Sequence, residues 1–138
     1  MSLSRLFLLI PLCFLLSAAD DAKPNLSGNW HLKEPTKTAS AMTMVIEQKG
    51  ASVHITKTLT SADGKEQKLE FQCATDGKEC EAKGAKISLW FDGSALVEMD
   101  AGEAISKVTM KMDGDLLKVE LSHIFPDGAP ETFVLAKN

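Results

Sequence analysis

Closely spaced turn signals are the feature that most constrains this chain. Five Asp-Gly dipeptides occur between residues 63 and 128, and further glycines stand at Gly50, Gly84 and Gly102. Asp-Gly adopts positive φ at little steric cost and is typical of hairpin turns. The segments between the turns are short and rich in Val, Ile, Thr, Phe and Met. This repetition of short segments and turns predicts an all-β meander.

Apolar side chains alternate with polar ones between the turns. Met42, Met44 and Ile46 fall on even positions, and Val53 and Ile55 stand on either side of a histidine. Half-buried strands require this period of two. Short strands joined by short turns most simply close into an antiparallel up-and-down β-barrel of about 8–10 strands, because closure removes exposed edges; a two-sheet sandwich is the alternative. With an error of about 2–4 residues at each end, the predicted strands are 28–33, 41–48, 52–60, 67–73, 79–83, 86–91, 95–100, 104–112, 115–123 and 130–137.

The turns also predict which residues pair across each hairpin. A turn centred on Asp113-Gly114 places Met110 opposite Leu117. The hairpin two strands earlier, with a three-residue loop, sets Leu89 against Val97. Both registers match apolar with apolar, as a single fixed register demands.

Cys73 and Cys80 are the two cysteines that follow residue 20. In an exported protein an even pair of cysteines favours a disulfide over a metal site, and the first 19 residues of this chain predict export. A hairpin turn centred on Asp76-Gly77 would place them directly opposite each other. Opposite strand residues have Cα atoms about 4.5–5.5 Å apart, which is within disulfide range. We therefore predict a Cys73–Cys80 bridge within one hairpin.

The first 19 residues have the features of a signal peptide. Arg5 supplies positive charge, Leu6–Leu16 is apolar, and Ser17–Ala19 offers small residues for cleavage. The apolar run is shorter than the 20 or so residues that span a bilayer. We expect cleavage before Asp20, a single β-barrel domain over 20–138, and a secreted or periplasmic location without membrane insertion after cleavage.

The charge balance narrows the range of partners. The chain has 19 acidic against 15 basic residues and a net charge of −4. Arg5 is its only arginine, and this lies in the predicted signal peptide. Nucleic-acid phosphates and anionic membranes both require basic surface, so we expect neither as a partner.

Four motifs resemble those of a family of small exported lipocalin-like (calycin-type) β-barrel proteins of bacteria, mostly uncharacterised. They are Leu26–Trp30 (LSGNW), Ile46–Gly50 (IEQKG), Thr75–Glu79 (TDGKE) and Trp90–Gly93 (WFDG), within a match over about residues 26–137. The resemblance implies a barrel that binds a small apolar ligand. In lipocalins the first-strand tryptophan closes the barrel floor beneath an arginine of the last strand. This chain has no such arginine, and only Lys137 could substitute for it.

Catalysis finds little support among the residues. The chain has neither tyrosine nor a Gly-x-Ser-x-Gly elbow, so we expect no enzymatic activity and no cofactor. The carboxylate pair Glu98 and Asp100 shares a strand face, and we interpret it as a solvated face beside lysines. Met42-x-Met44 could hold copper(I), but both methionines continue an apolar alternation and are better explained as core. We therefore expect no metal site.

Soft, polarizable side chains on the predicted inner faces suit adaptable apolar binding. The ligand-lining candidates are Trp30, Met44, Ile55, Phe71, Leu89, Met110 and Leu117. The hypothesis is an exported, non-enzymatic binding protein for a small hydrophobic molecule. The alternative is a protein-interaction module, such as a protease inhibitor, with a solid barrel core and a protein partner.

Overall fold

Residues 23–138 are described by a computed structural model. The predicted signal peptide and the N-terminus at Asp20 lie outside these residues. The described chain forms ten β-strands: β1 Gly28–Leu32, β2 Ala39–Lys49, β3 Ser52–Ser61, β4 Glu66–Ala74, β5 Asp76–Ala82, β6 Ala85–Asp92, β7 Ala95–Ala101, β8 Ile105–Asp113, β9 Leu116–Phe125 and β10 Glu131–Lys137. Each predicted strand is present, with ends within about 2–4 residues of the prediction.

All ten strands belong to one antiparallel sheet with the order β4-β3-β2-β1-β10-β9-β8-β7-β6-β5. Consecutive strands pair with each other at every step but one, and β1 pairs with β10. The exception is β4 and β5, the two edges of the sheet. The all-β up-and-down barrel is therefore confirmed, and the barrel is nearly closed. Among residues 23–138 no helix is long and apolar enough to cross a bilayer.

A disulfide joins the two edge strands. Cys73 of β4 and Cys80 of β5 are bonded, with their Cα atoms 5.8 Å apart, so the predicted pair is confirmed. The predicted hairpin is wrong, because β5 pairs with β6 and Cys80 lies opposite Ile87. Asp76-Gly77 forms a bulge inside β5. The bond thus closes the gap in the barrel.

The register of two hairpins differs from the prediction, by two residues at β8–β9 and by one residue at β6–β7. Asp113 pairs with Leu116, which brings Met110 opposite Val119, not Leu117. The loop residues are Gly114 and Asp115, with Gly114 at φ 63°. A glycine at the first central position is the mark of a type II′ turn, whereas the prediction had centred the turn on Asp-Gly.

The β6–β7 hairpin follows the same rule. Its loop residues are Gly93 and Ser94, with Gly93 at φ 59°. Leu89 therefore lies opposite Glu98, not Val97, and the predicted pairing is wrong. The change matters because it turns Glu98 toward the barrel interior.

Trp30 of β1 is buried in the core of the barrel. Its ring is 2% exposed, and its Nε1 donates a hydrogen bond to the Leu26 carbonyl at 3.0 Å. Lys137 pairs with Trp30 across β1 and β10, and its Nζ lies 5.6 Å from the ring centroid. A cation over an indole face is attractive, so Lys137 takes the place expected for a basic residue of the last strand.

Gln48 fixes the segment that precedes β1. Its side chain accepts from the Leu26 N–H at 3.0 Å and donates to the Pro24 carbonyl at 2.9 Å. Its own N–H donates to Ser27 Oγ at 2.9 Å. These bonds satisfy the backbone of a segment that is not part of the sheet and hold the fully buried Leu26 in place.

Candidate ligand-binding cavity

A cavity of about 440 Å³ lies inside the barrel and opens to solvent. Its size falls in the range of about 300–1,000 Å³ typical of small-molecule sites. Half of its lining side chains are apolar: Met42, Leu59, Leu69, Val108, Val119, Leu121 and Phe133. The polar members of the lining are Lys57, Gln67, Lys68, Lys83, Glu98, Asp100 and Ser106.

The lining is not uniformly buried. Met42, Val108, Val119 and Phe133 are buried, and the leucines are only partly buried. Among the polar members Gln67, Lys68 and Lys83 are exposed, whereas Glu98 is 1% exposed. The exposed residues therefore mark the mouth of the cavity, and Glu98 marks its depth.

The seven ligand-lining candidates from the sequence are all brought together, but not at the cavity. Trp30, Met44, Ile55, Phe71, Leu89, Met110 and Leu117 are all buried members of one core cluster. None of them is among the residues that line the cavity. That they contact a bound ligand stays a prediction.

On the same strands, the cavity is lined by the inward-facing residues next to these seven candidates. Met42 lines it on β2, two residues from Met44, and Leu69 lines it on β4, two residues from Phe71. The sequence therefore predicted the inward faces, since side chains two apart share a face. The level along the barrel at which packing gives way to open space is not encoded in that alternation.

Glu98 is the functional candidate that the sequence placed on the wrong side. The prediction of a solvated face is wrong, because Glu98 is buried at 1% exposure and lines the cavity. Its Oε1 lies 3.5 Å from Nζ of Lys57, whose side chain is 16% exposed. The alternation Leu96, Glu98, Asp100 on β7 could have shown it, had the hairpin register been right.

Oε2 of Glu98 has no hydrogen-bond partner within the described chain. It is buried, and it belongs to a side chain that lines the cavity. Buried polar atoms in native proteins are nearly always paired, so an orphan of this kind calls for a physical explanation.

Asp100 adds a second carboxyl to the cavity wall. Burial raises the pKa of Asp100 from its usual 3.8, and the positive charge of Lys57 offsets only part of this. The ammonium group of Lys57 is therefore the positive charge that acts on both inward-facing carboxyls, Glu98 and Asp100. The interior of the barrel is apolar with an acidic spot, a combination that favours hydrogen-bond donors.

His123 and Glu131 form a separate polar pair. His123 Nε2 lies 2.9 Å from Glu131 Oε2, and Thr38 donates to the other Glu131 oxygen. Burial alone would raise the pKa of Glu131, but these two partners outweigh it and lower the pKa. Among residues 23–138 no three His, Cys, Asp or Glu side chains converge in a way that could hold a metal ion.

Comparison with known proteins places the fold. No family model matches the chain, and no curated protein matches it. Among solved structures, the REP1-NXSQ fatty acid transporter superposes with a TM-score of 0.61 at 19% identity, covering 82% of this chain and 96% of the transporter. Apo lipid binding protein 8 of Caenorhabditis elegans gives a TM-score of 0.59 at 13% identity, with 81% and 94% covered.

A third similar structure is the fatty-acid-binding protein isolated from Manduca sexta. It gives a TM-score of 0.53 at 17% identity, and 82% of this chain and 100% of the insect protein are covered. Identities this low show a shared fold and no more. The described chain therefore has the same barrel fold as these proteins, while the resemblance to a bacterial exported family stays a prediction.

Proposed function

We propose that this protein is a non-enzymatic binding protein that holds one small apolar molecule inside its barrel. The single observation that carries the proposal is the cavity of about 440 Å³, half of whose lining residues are apolar. The partly buried leucines Leu59, Leu69 and Leu121 would gain burial on contact with such a molecule. Three solved structures with the same fold are described as fatty-acid or lipid proteins, which supports this assignment.

Two further features support the rest of the hypothesis. The Cys73–Cys80 bond is favoured outside the reducing cytosol, as expected for a secreted or periplasmic protein. The alternative of a protein-interaction module expected a solid core, and an open cavity speaks against that alternative.

A neutral, environment-sensitive dye such as Nile red tests the proposal. The wild type should bind it saturably at one site. Val119→Phe adds volume to the buried cavity wall and should weaken dye binding, whereas Val134→Phe, at a position 38% exposed on β10, should not. Leu121→Phe, also in the lining, replaces Val119→Phe if circular dichroism shows that the latter is unfolded. Absence of saturable binding to the wild type, or equal binding by lining and control variants, would overturn the proposal.

A further inference from the structure

The unpartnered oxygen of Glu98 indicates what kind of molecule the cavity accepts. This oxygen is buried, lies on a cavity-lining side chain, and receives no hydrogen bond from the described protein. A buried acceptor without a donor is costly, and an apolar side chain of the same shape would avoid that cost. A hydrogen-bond donor on the ligand would remove the same cost by pairing with Oε2 of Glu98.

The charges around Glu98 select the type of donor. Lys57 is the cavity lysine within reach, and it faces the other oxygen of Glu98 at 3.5 Å. Asp100, two residues along β7, also lines the cavity. Lys68 and Lys83 are exposed at the mouth. The deep part of the cavity therefore holds more acceptors than donors.

We propose that the bound molecule is an amphiphile whose headgroup donates hydrogen bonds, a long-chain amine above all, and that it enters headgroup first and donates to Oε2 of Glu98. This inference rests on the proposed function. An alcohol shares the donor but not the positive charge and binds less tightly. A fatty carboxylate has no donor when ionised and would meet Glu98 with like charge.

The apolar wall fits the tail of such a molecule. With the headgroup at Glu98, the tail runs toward the mouth between Leu59, Leu69 and Leu121, which are partly buried in the absence of a partner. A carboxylate amphiphile would adopt the opposite orientation, with its headgroup near the exposed Lys68 and Lys83. The two orientations predict opposite ligand preferences.

The test compares three twelve-carbon ligands in competition with Nile red at neutral pH, each below the concentration at which it aggregates or separates from solution. Dodecylamine should bind about tenfold tighter than dodecanoic acid, with dodecanol between them. Glu98→Gln replaces one acceptor by a donor. It should reduce the ratio of the affinity for dodecylamine to the affinity for dodecanoic acid by about tenfold. Glu79→Gln, a matched change at an exposed glutamate of β5, should leave the ratio unchanged.

The outcomes separate this inference from the proposed function. If the dye binds but the acid equals or exceeds the amine on the wild type, the inference is overturned and apolar binding stands. The same holds if Glu98→Gln leaves the ratio as it was. If neither the dye nor any of the three ligands binds, apolar binding itself is wrong. The wild-type comparison needs no variant, so it decides the question even if Glu98→Gln does not fold.

Discussion

Lys57 and Glu98 meet across the interior of the barrel, Nζ to Oε1 at 3.5 Å. They come from β3 and β7, which are not neighbours in the sheet. Their side chains are only 16% and 1% exposed. Burying this ion pair costs free energy, because both charges are removed from water. The pair links β3 to β7, two strands that no backbone hydrogen bonds join directly.

Removing one member of this pair should destabilise the protein more than removing both. Lys57→Met leaves Glu98 buried without its counter-charge, and we expect a loss of about 3–5 kcal/mol in the free energy of unfolding. The double variant Lys57→Met/Glu98→Leu removes both charges and should be neutral or more stable than the wild type by about 1–4 kcal/mol. Urea unfolding of the three proteins measures both effects. Equal loss in the single and the double variant would contradict this, because it would show that the unpaired Glu98 does not cause the destabilisation.

Asp100 should make stability fall as the pH rises. Since burial raises its pKa in the folded state, the folded protein binds the proton more tightly than the unfolded chain does. The free energy of unfolding then decreases from near the ordinary pKa of 3.8 up to the raised pKa and is level above it. Asp100→Asn lacks this loss, so its stability relative to wild type should increase with pH in urea titrations between about pH 3 and 7.

Asp63 supplies a control of opposite sign. Hydrogen bonds from Ser61 and from the Lys65 backbone lower its pKa, so the stability that it confers is present above 3.8 and is lost as the pH falls through the lowered pKa. Asp63→Asn should therefore lose stability relative to wild type as the pH rises. Parallel pH profiles for the two variants would contradict at least one of the two assignments.

Much of the fold was accessible from the sequence because turn chemistry and alternation are local. The strands and the barrel follow from glycines placed between apolar segments of period two. Register was less accessible, because Asp113-Gly114 is compatible with two turn types and only the structure shows Gly114 opening the loop. The bulge at Asp76-Gly77 looks like a hairpin signal and is not one.

The site was accessible only in part. A register step of two residues, as at Met110, preserves which face is inward, so the apolar faces were right. At Glu98 the step was odd and reversed the face, which hid the acidic group from sequence reasoning. The level of the cavity depends on how side chains from many strands fill the lumen, and alternation within single strands carries no information on that.

The layer next to the cavity should respond to truncation differently from the cavity wall. Met110 is fully buried in the core cluster, so Met110→Ala should cost about 2–5 kcal/mol. Leu69 is partly buried and lines the cavity, so Leu69→Ala has fewer contacts to lose and should cost less than about 2 kcal/mol. Nile red affinity should change in the Leu69 variant and stay near wild type in the Met110 variant. A larger change in the Met110 variant would show that the ligand reaches the predicted lining.

The Cys73–Cys80 bond should stabilise the barrel and limit its opening. It crosses the gap between β4 and β5, where the described strands form no ladder with each other. Because the loop that it closes is short, replacing both cysteines by serine should cost about 2–3 kcal/mol in urea unfolding.

Leu69 and Lys83, on either side of the gap, both line the cavity, so the same variant should release Nile red faster in stopped-flow displacement. Reduction of the wild type should reproduce both effects and leave the serine variant unchanged. Two titratable thiols in the unreduced, denatured wild type would show that the bond is not formed, and an unchanged release rate would show that the gap is not the path of exchange.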